Sequence, residues 1–227
     1  MDNPIKAISN KNVLLITLAV FSIALIPRIY HQSSLSGDQV RTILAPDEQA
    51  YEMLVNNRDI TPDMSPSYFL NPLYPTVLSG LKVIFGNQLT PARWFNAILG
   101  SLSCLFIFLL SRKYVSKLSA LIITVILAFY GPLIFLEGKL LATTIAVFLV
   151  SFSLYIYQLS REKYHIVWGM IAGLLMGLAV WARPNIILVW PFFWFDSLIR
   201  VKKTRNLVIC FQTAFILTFG IMALKNS

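Results

Sequence analysis

IVWGMIAGLLMGLAVWARP, residues 166–184, decides the fold. No charge interrupts it before Arg183, and apolar side chains cover every face of the helix it would form. A helix that is apolar all round belongs in a large core or in a bilayer. Gly169, Gly173 and Gly177 recur every four residues, so they share one face and let a neighbouring helix approach closely. Pro184 then ends the run, because proline lacks the N–H that a helix interior needs.

The same character extends outward along the chain. Apolar runs stand at about 13–27, 92–110, 118–135, 139–159, 185–199 and 206–223. Several approach the roughly 20 residues that span a bilayer. The 227 residues are 57% hydrophobic and 13% charged, against about 25% charged in an ordinary soluble domain. The chain therefore reads as an all-α polytopic membrane protein, a single membrane domain over residues 1–227. The net charge of +9 would suggest nucleic acid in a soluble protein. Here the cations sit in short linkers, with no basic strip interleaved with exposed aromatics, which argues against nucleic acid. Cys104 and Cys210 lie inside apolar runs without metal-ligand spacing and read as packing residues. The first run follows Lys6 and Lys11 but leads into Pro27-Arg28-Ile29-Tyr30 with no small-residue cleavage site, so it reads as an uncleaved anchor.

Charge in the linkers gives direction. Lys6 and Lys11, then Arg112, Lys113 and Lys117, then Arg161 and Lys163, then Arg200, Lys202, Lys203 and Arg205 fall on one side if the chain crosses about seven times. That side is cytoplasmic by the positive-inside rule, with residues 1–12 as a cytoplasmic tail. The 28–92 loop, Glu137 to Lys139 and Arg183-Pro184 then face outward. Leu73 to Phe85 is apolar but too short to span comfortably, and reads as an interfacial helix on that outer face. Asp47 to Asn56 reads as a companion surface helix, with Pro46 at its start and carboxylates in its first turn. Six further spans follow over 92–223. Trp94, Trp181, Trp190 and Trp194 stand near segment ends and read as an interfacial belt.

Candidate chemistry concentrates in the external loop. It holds Asp38, Asp47, Glu48, Glu52, Asp59 and Asp63, six of ten acidic residues. Asp47 and Glu48 are adjacent, and helical neighbours point about 100° apart, so one of the two suffices to face a pocket. The pair also reads as a solvated helix start. Glu137 closes an apolar run, which calls for a reason to bury it or for an interfacial pair with Lys139. Arg183 and Arg93 read either as arginines reaching lipid phosphate or as binders of an anionic head group. His31 and His165 are isolated. No phosphate-cradling glycine loop or nucleophile elbow is present.

These pieces in this order resemble the polyprenyl-phosphate-sugar-dependent glycosyltransferases of the C-type (GT-C) fold, a group that includes protein O-mannosyltransferases and lipid A aminoarabinose transferases. The likeness rests on Asp47-Glu48 followed by Tyr51, on Asn71-Pro72-Leu73-Tyr74-Pro75 opening a helix that ends at Phe85-Gly86, on Ala92-Arg93, on Tyr130-Gly131-Pro132 leading to Glu137, and on Gly177-Leu178-Ala179 before Arg183-Pro184. The resemblance implies a module of about seven spans with a large external first loop bearing interfacial helices. It implies transfer of a sugar from a polyprenyl phosphate to a hydroxyl acceptor at the external face, with inversion, in a plasma (bacterial inner) membrane. Asp47 would be the general base, with Glu48 its close rival and Glu137 the second acidic position. Arg183, Arg93 and Lys139 would hold the donor phosphate. No cofactor follows from the residues, and a divalent metal stays open. Some relatives carry Arg two positions after the acidic pair, where Ala50 stands here, and Lys before the Pro-Pro-Leu motif, where Leu70-Asn71 stands. Members normally continue with more helices, so a chain stopping at Ser227 reads as the N-terminal module or a remnant of a longer enzyme. The alternatives from other classes are a transporter and a non-catalytic binder of lipid phosphate. A transporter would show internal repeats and broken helices, and the sequence shows no repeat.

Overall fold

A proline sets the most consequential feature of the helical framework. In a continuous helix the residue at 132 would donate its N–H to the Ala128 carbonyl, and Pro132 has none. The run that hydropathy joins as 118–135 is accordingly broken at Phe129-Tyr130, and its two halves meet at 54°. Burying the freed carbonyl of Ala128 would be costly. Arg28 Nη1, 3.4 Å away on the first helix, donates to it.

The computed structural model describes residues 10–34, 46–55, 71–86, 89–199 and 202–225. Among them there is no strand. The helices are α1 (Asn10–Ser34), α2 (Pro46–Val55), α3 (Leu73–Phe85), α4 (Thr90–Ser111), α5 (Lys117–Ala128), α6 (Gly131–Glu137), α7 (Thr143–Lys163), α8 (Ile166–Ala182), α9 (Trp190–Ile199) and α10 (Lys202–Lys225), with a 3-10 turn at Pro184–Val189 before α9. Asp38, Asp59, Asp63 and Lys6 lie outside the described residues.

Among the described residues, three stretches are long and apolar enough to cross a membrane: Leu15–Ser34, Thr90–Ser111 and Thr143–Lys163. The bent α5–α6 pair makes a fourth if it is one broken span. Ile166–Ala182, Pro184–Phe195 and Val208–Thr218 are shorter apolar helices. α1 does not stop at Pro27 but continues to Ser34. This carries Arg28, expected at the start of the external loop, into a helix where it is 1% exposed.

Packing runs in sequence around the bundle. α1 lies on α4, α4 on α7, α7 on α8, and α8 on α10. The glycine face of α8 makes the last contact. A Cβ on Gly173 would overlap the Phe211 carbonyl, and one on Gly177 would come within 2.5 Å of Thr218 Cβ. Trp181 ties the end of this seam, its Nε1–H donating to the Thr218 carbonyl at 2.8 Å.

Two basic linkers share one end of the bundle. Lys113 Nζ lies 2.7 Å from Glu162 Oε2, and Tyr114 Oη donates to Gln158 Oε1 at 2.7 Å. The opposite end carries α2 and α3.

Gly173→Ala forces its new methyl against a backbone atom, so it is expected to cost about 1–3 kcal/mol. Gly80 in α3 has open space around it, so Gly80→Ala is expected to be neutral or to stabilise by up to about 1 kcal/mol. Thermal unfolding in detergent reads the contrast, and equal midpoints for the two variants would contradict the close α8–α10 seam.

Candidate functional site

α2 and α3 form a layer over one end of the bundle, held by residues from distant parts of the chain. The Tyr51 and Tyr74 rings meet edge to face, with centroids 5.0 Å apart. Tyr74 is fully buried and its hydroxyl accepts from Asn96 Nδ2 on α4 at 3.1 Å. The same Asn96 amide donates to the Lys139 carbonyl at 2.9 Å. Asn71, just before α3, donates to the carbonyl of Ala182 at 3.3 Å. That carbonyl is in the last turn of α8, where helices leave acceptors unsatisfied. Burial pushes the phenols of both Tyr51 and Tyr74 up from their ordinary value, so each remains a protonated donor.

The adjacent acids separate cleanly. Asp47 is exposed and lines a cleft of about 440 Å³. Glu48 points the other way and is fully buried. Its Oε1 accepts the Leu140 N–H at 2.8 Å, and its Oε2 lies 3.4 Å from Lys139 Nζ.

Arg183 lines the same cleft as Asp47. It follows α8 directly, is exposed, and donates through Nη2 to Thr143 Oγ1 at 2.5 Å. Tyr51, Asn71, Leu141, Ala142 and Asn185 complete the relevant walls. Among the lining residues Asp47 is the one carboxylate and Arg183 the one cation. Tyr51 senses both: Arg183 draws its phenol pKa down and Asp47 pushes it up, each less strongly than burial does. The volume falls within the range of small-molecule sites.

The other expected site residues do not line this cleft. Glu137 is 1% exposed and holds Arg28 with both oxygens, Nε to Oε2 at 2.6 Å and Nη2 to Oε1 at 2.8 Å. The local partner weighed for it, Lys139, is instead engaged with Glu48 and lies over the Phe135 ring at 5.6 Å. Arg93 is buried in the first turn of α4, where its charge acts on Tyr74. Sequence reasoning did not single out Arg28, Thr143 or Asn96. Among the described residues no group of three or more His, Cys, Asp and Glu side chains comes together that could hold a metal ion, and no chemical step below runs through one.

Residues 66–224 of the chain that builds this bundle match a known family model. The chain belongs to the dolichyl-phosphate-mannose-protein mannosyltransferase family. It is thus a polytopic membrane module of GT-C type, in a family of glycosyltransferases that use lipid-linked sugar donors. The matched stretch takes in Arg93, Glu137, Lys139 and Arg183 and begins after Asp47 and Glu48. No curated protein matched the chain.

The Arg28–Glu137 pair carries the next expectation. Arg28→Met leaves a buried carboxylate without its partner, expected to cost about 3–5 kcal/mol, whereas the double variant Arg28→Met/Glu137→Met removes both charges and recovers most of that loss. Thermal unfolding in detergent separates the cases, and a double variant as unstable as the single one would argue against the pair.

Proposed function

We propose that this chain transfers a sugar from a polyprenyl-phosphate donor to a hydroxyl acceptor, with inversion, in the cleft between α2 and the end of α8. The observation that carries this reading is that Asp47 and Arg183 line one cleft, an exposed carboxylate contributed by α2 and an exposed guanidinium from the end of α8. A glycosyl transfer from a phosphate needs one of each.

The acceptor hydroxyl is too weak an acid to ionise beforehand. Asp47 takes its proton as the new bond to the anomeric carbon forms. The bond between that carbon and the phosphate oxygen breaks at the opposite face of the sugar, which inverts the centre. The phosphate leaves as an anion, and Arg183 stabilises the charge developing on it. The planar fork of arginine suits phosphate, and the hydroxyl of Thr143 fixes the guanidinium's direction. Proximity adds to these effects, because the lipid tail in the bilayer and the head in the cleft restrict the donor to few orientations.

The basic linkers at the far end of the bundle support a topology in which that end is cytoplasmic and the cleft faces outward. α1, α4, the bent α5–α6 pair, α7, α8, the 3-10 turn with α9 (184–199) and α10 would then be seven passes, in a plasma (bacterial inner) membrane. The acceptor is any hydroxyl-bearing protein, lipid or glycan that reaches that face.

Asp47→Asn keeps the shape of the cleft and removes the base, so transfer from a polyprenyl-phosphate sugar is expected to fall by about 10²–10⁴-fold. Arg183→Ala is expected to lower kcat by about 10²–10³-fold. Both are measured with a radiolabelled lipid donor on purified, folded protein. Wild-type turnover in Asp47→Asn would sink the assignment of the base. Donor binding that is lost in Arg183→Ala, with no turnover by the wild type, would favour a lipid-phosphate binder instead.

A further inference from the structure

The chemistry proposed above leaves a buried carboxylate unused. Glu48 stands beside Asp47 in α2, is fully buried, and lies 92 residues from the backbone N–H that it accepts, that of Leu140. Resting on the reading of Asp47 as the base, we infer that Glu48 is a positioning residue: it latches α2 to the turn between α6 and α7 and so sets where the Asp47 carboxylate stands.

The turn is a fixed reference for three reasons. Glu137, just before it, is clamped in the bundle by both nitrogens that Arg28 offers it. The Lys139 carbonyl accepts from Asn96 of α4 at 2.9 Å. Leu140 itself is 1% exposed in the cluster that also contains Tyr51 and Tyr74. Glu48 engages this turn twice, by a charge-assisted hydrogen bond to Leu140 and by an ion pair with Lys139. Its neighbour Asp47 is one residue away on a helix, so its direction is tied to that of Glu48. The opposite wall of the cleft is set from the same turn. Leu141 and Ala142 line the cleft, and Thr143, the next residue, accepts the hydrogen bond from Arg183. The carboxylate and the guanidinium are thus registered against one five-residue stretch, Lys139 to Thr143.

Reach and charge can be separated at position 48. Glu48→Gln keeps the length and an oxygen to accept the Leu140 N–H but loses the charge. Glu48→Asp keeps the charge but is one methylene short. For a latch, Gln is the better substitute: kcat stays within about tenfold of wild type in Glu48→Gln and falls about a hundredfold in Glu48→Asp, as misplacement by an ångström does. Donor KM changes by less than about threefold in both, because Arg183 is carried on the end of α8, which packs on α10 and keeps its place when the turn loosens. Amide hydrogen exchange of the 138–142 segment reads the latch without any turnover. It is expected to stay slow in Glu48→Gln and to rise at least about tenfold in Glu48→Asp, as it does when a protecting bond is lost. Measuring on the monodisperse fraction keeps unfolded protein out of the comparison. Glu48→Gln as inactive as Asp47→Asn, or the reverse order of Gln and Asp, would overturn the inference by making the charge the working feature. Unchanged exchange in Glu48→Asp would overturn it as well. If instead Asp47→Asn turns over normally, the base is wrong, and the exchange data still decide the latch.

Discussion

The buried contact between Arg28 and Glu137 is the constraint on which the rest of the arrangement depends. Two charges taken out of water repay their desolvation only with good geometry and further hydrogen bonds. Both conditions hold. One hydrogen bond joins the pair, Nη2 to Oε1 at 2.8 Å, with Nε also 2.6 Å from Oε2, and Arg28 donates further to the carbonyls of Ala24 and Ala128. The second of these acceptors exists because Pro132 cannot use it. A break in one apolar helix and a cation in another therefore satisfy each other. Gly100 completes the fit, since a Cβ there would overlap the Glu137 carboxylate. From this point the chain turns through Lys139 and Leu140 into α7, and both walls of the cleft are hung on that turn.

Much of this framework was legible in the sequence, and the unreadable parts share one cause. The glycine face of α8 was readable because its information is local: a spacing of four residues is one helix face, whatever the partner turns out to be. α3 was readable from its length and from Pro72 and Pro75 at its start. The division of labour between Asp47 and Glu48 was half readable. Helical geometry said that the two diverge, but which one turns inward depends on the Leu140 N–H, a group that no residue type advertises. Arg28 was misread because hydropathy treats a cation after Pro27 as the end of a span. It adds residue values one at a time and cannot credit a partner more than a hundred positions away. The same blindness joined 118–135 into one segment. Its side chains are apolar throughout, and the break comes from the missing N–H of Pro132 rather than from polarity.

The walls of the cleft differ in kind. Arg183 ends a helix packed through glycines against α10, so its position follows from the backbone of the bundle. Asp47 rides on a ten-residue helix docked from outside. The glycine seam lets α8 stand close to its neighbour with little room to shift, while the outer layer is attached through a few side chains: Glu48, Tyr51, Tyr74 and Asn71. With the cation fixed by the bundle and the carboxylate only docked, the proposed phosphate seat would stay formed whether or not an acceptor is present.

A helix as short as α2 is marginal in water by itself. Its order is borrowed from the surface beneath it. The bundle and the competent cleft are therefore two cooperative units with separate stabilities, the smaller resting on the larger. Peeling α2 away would leave every long helix intact and remove the one carboxylate that lines the cleft among the described residues. The protein would then keep its fold and its place in the bilayer while losing its proposed chemistry.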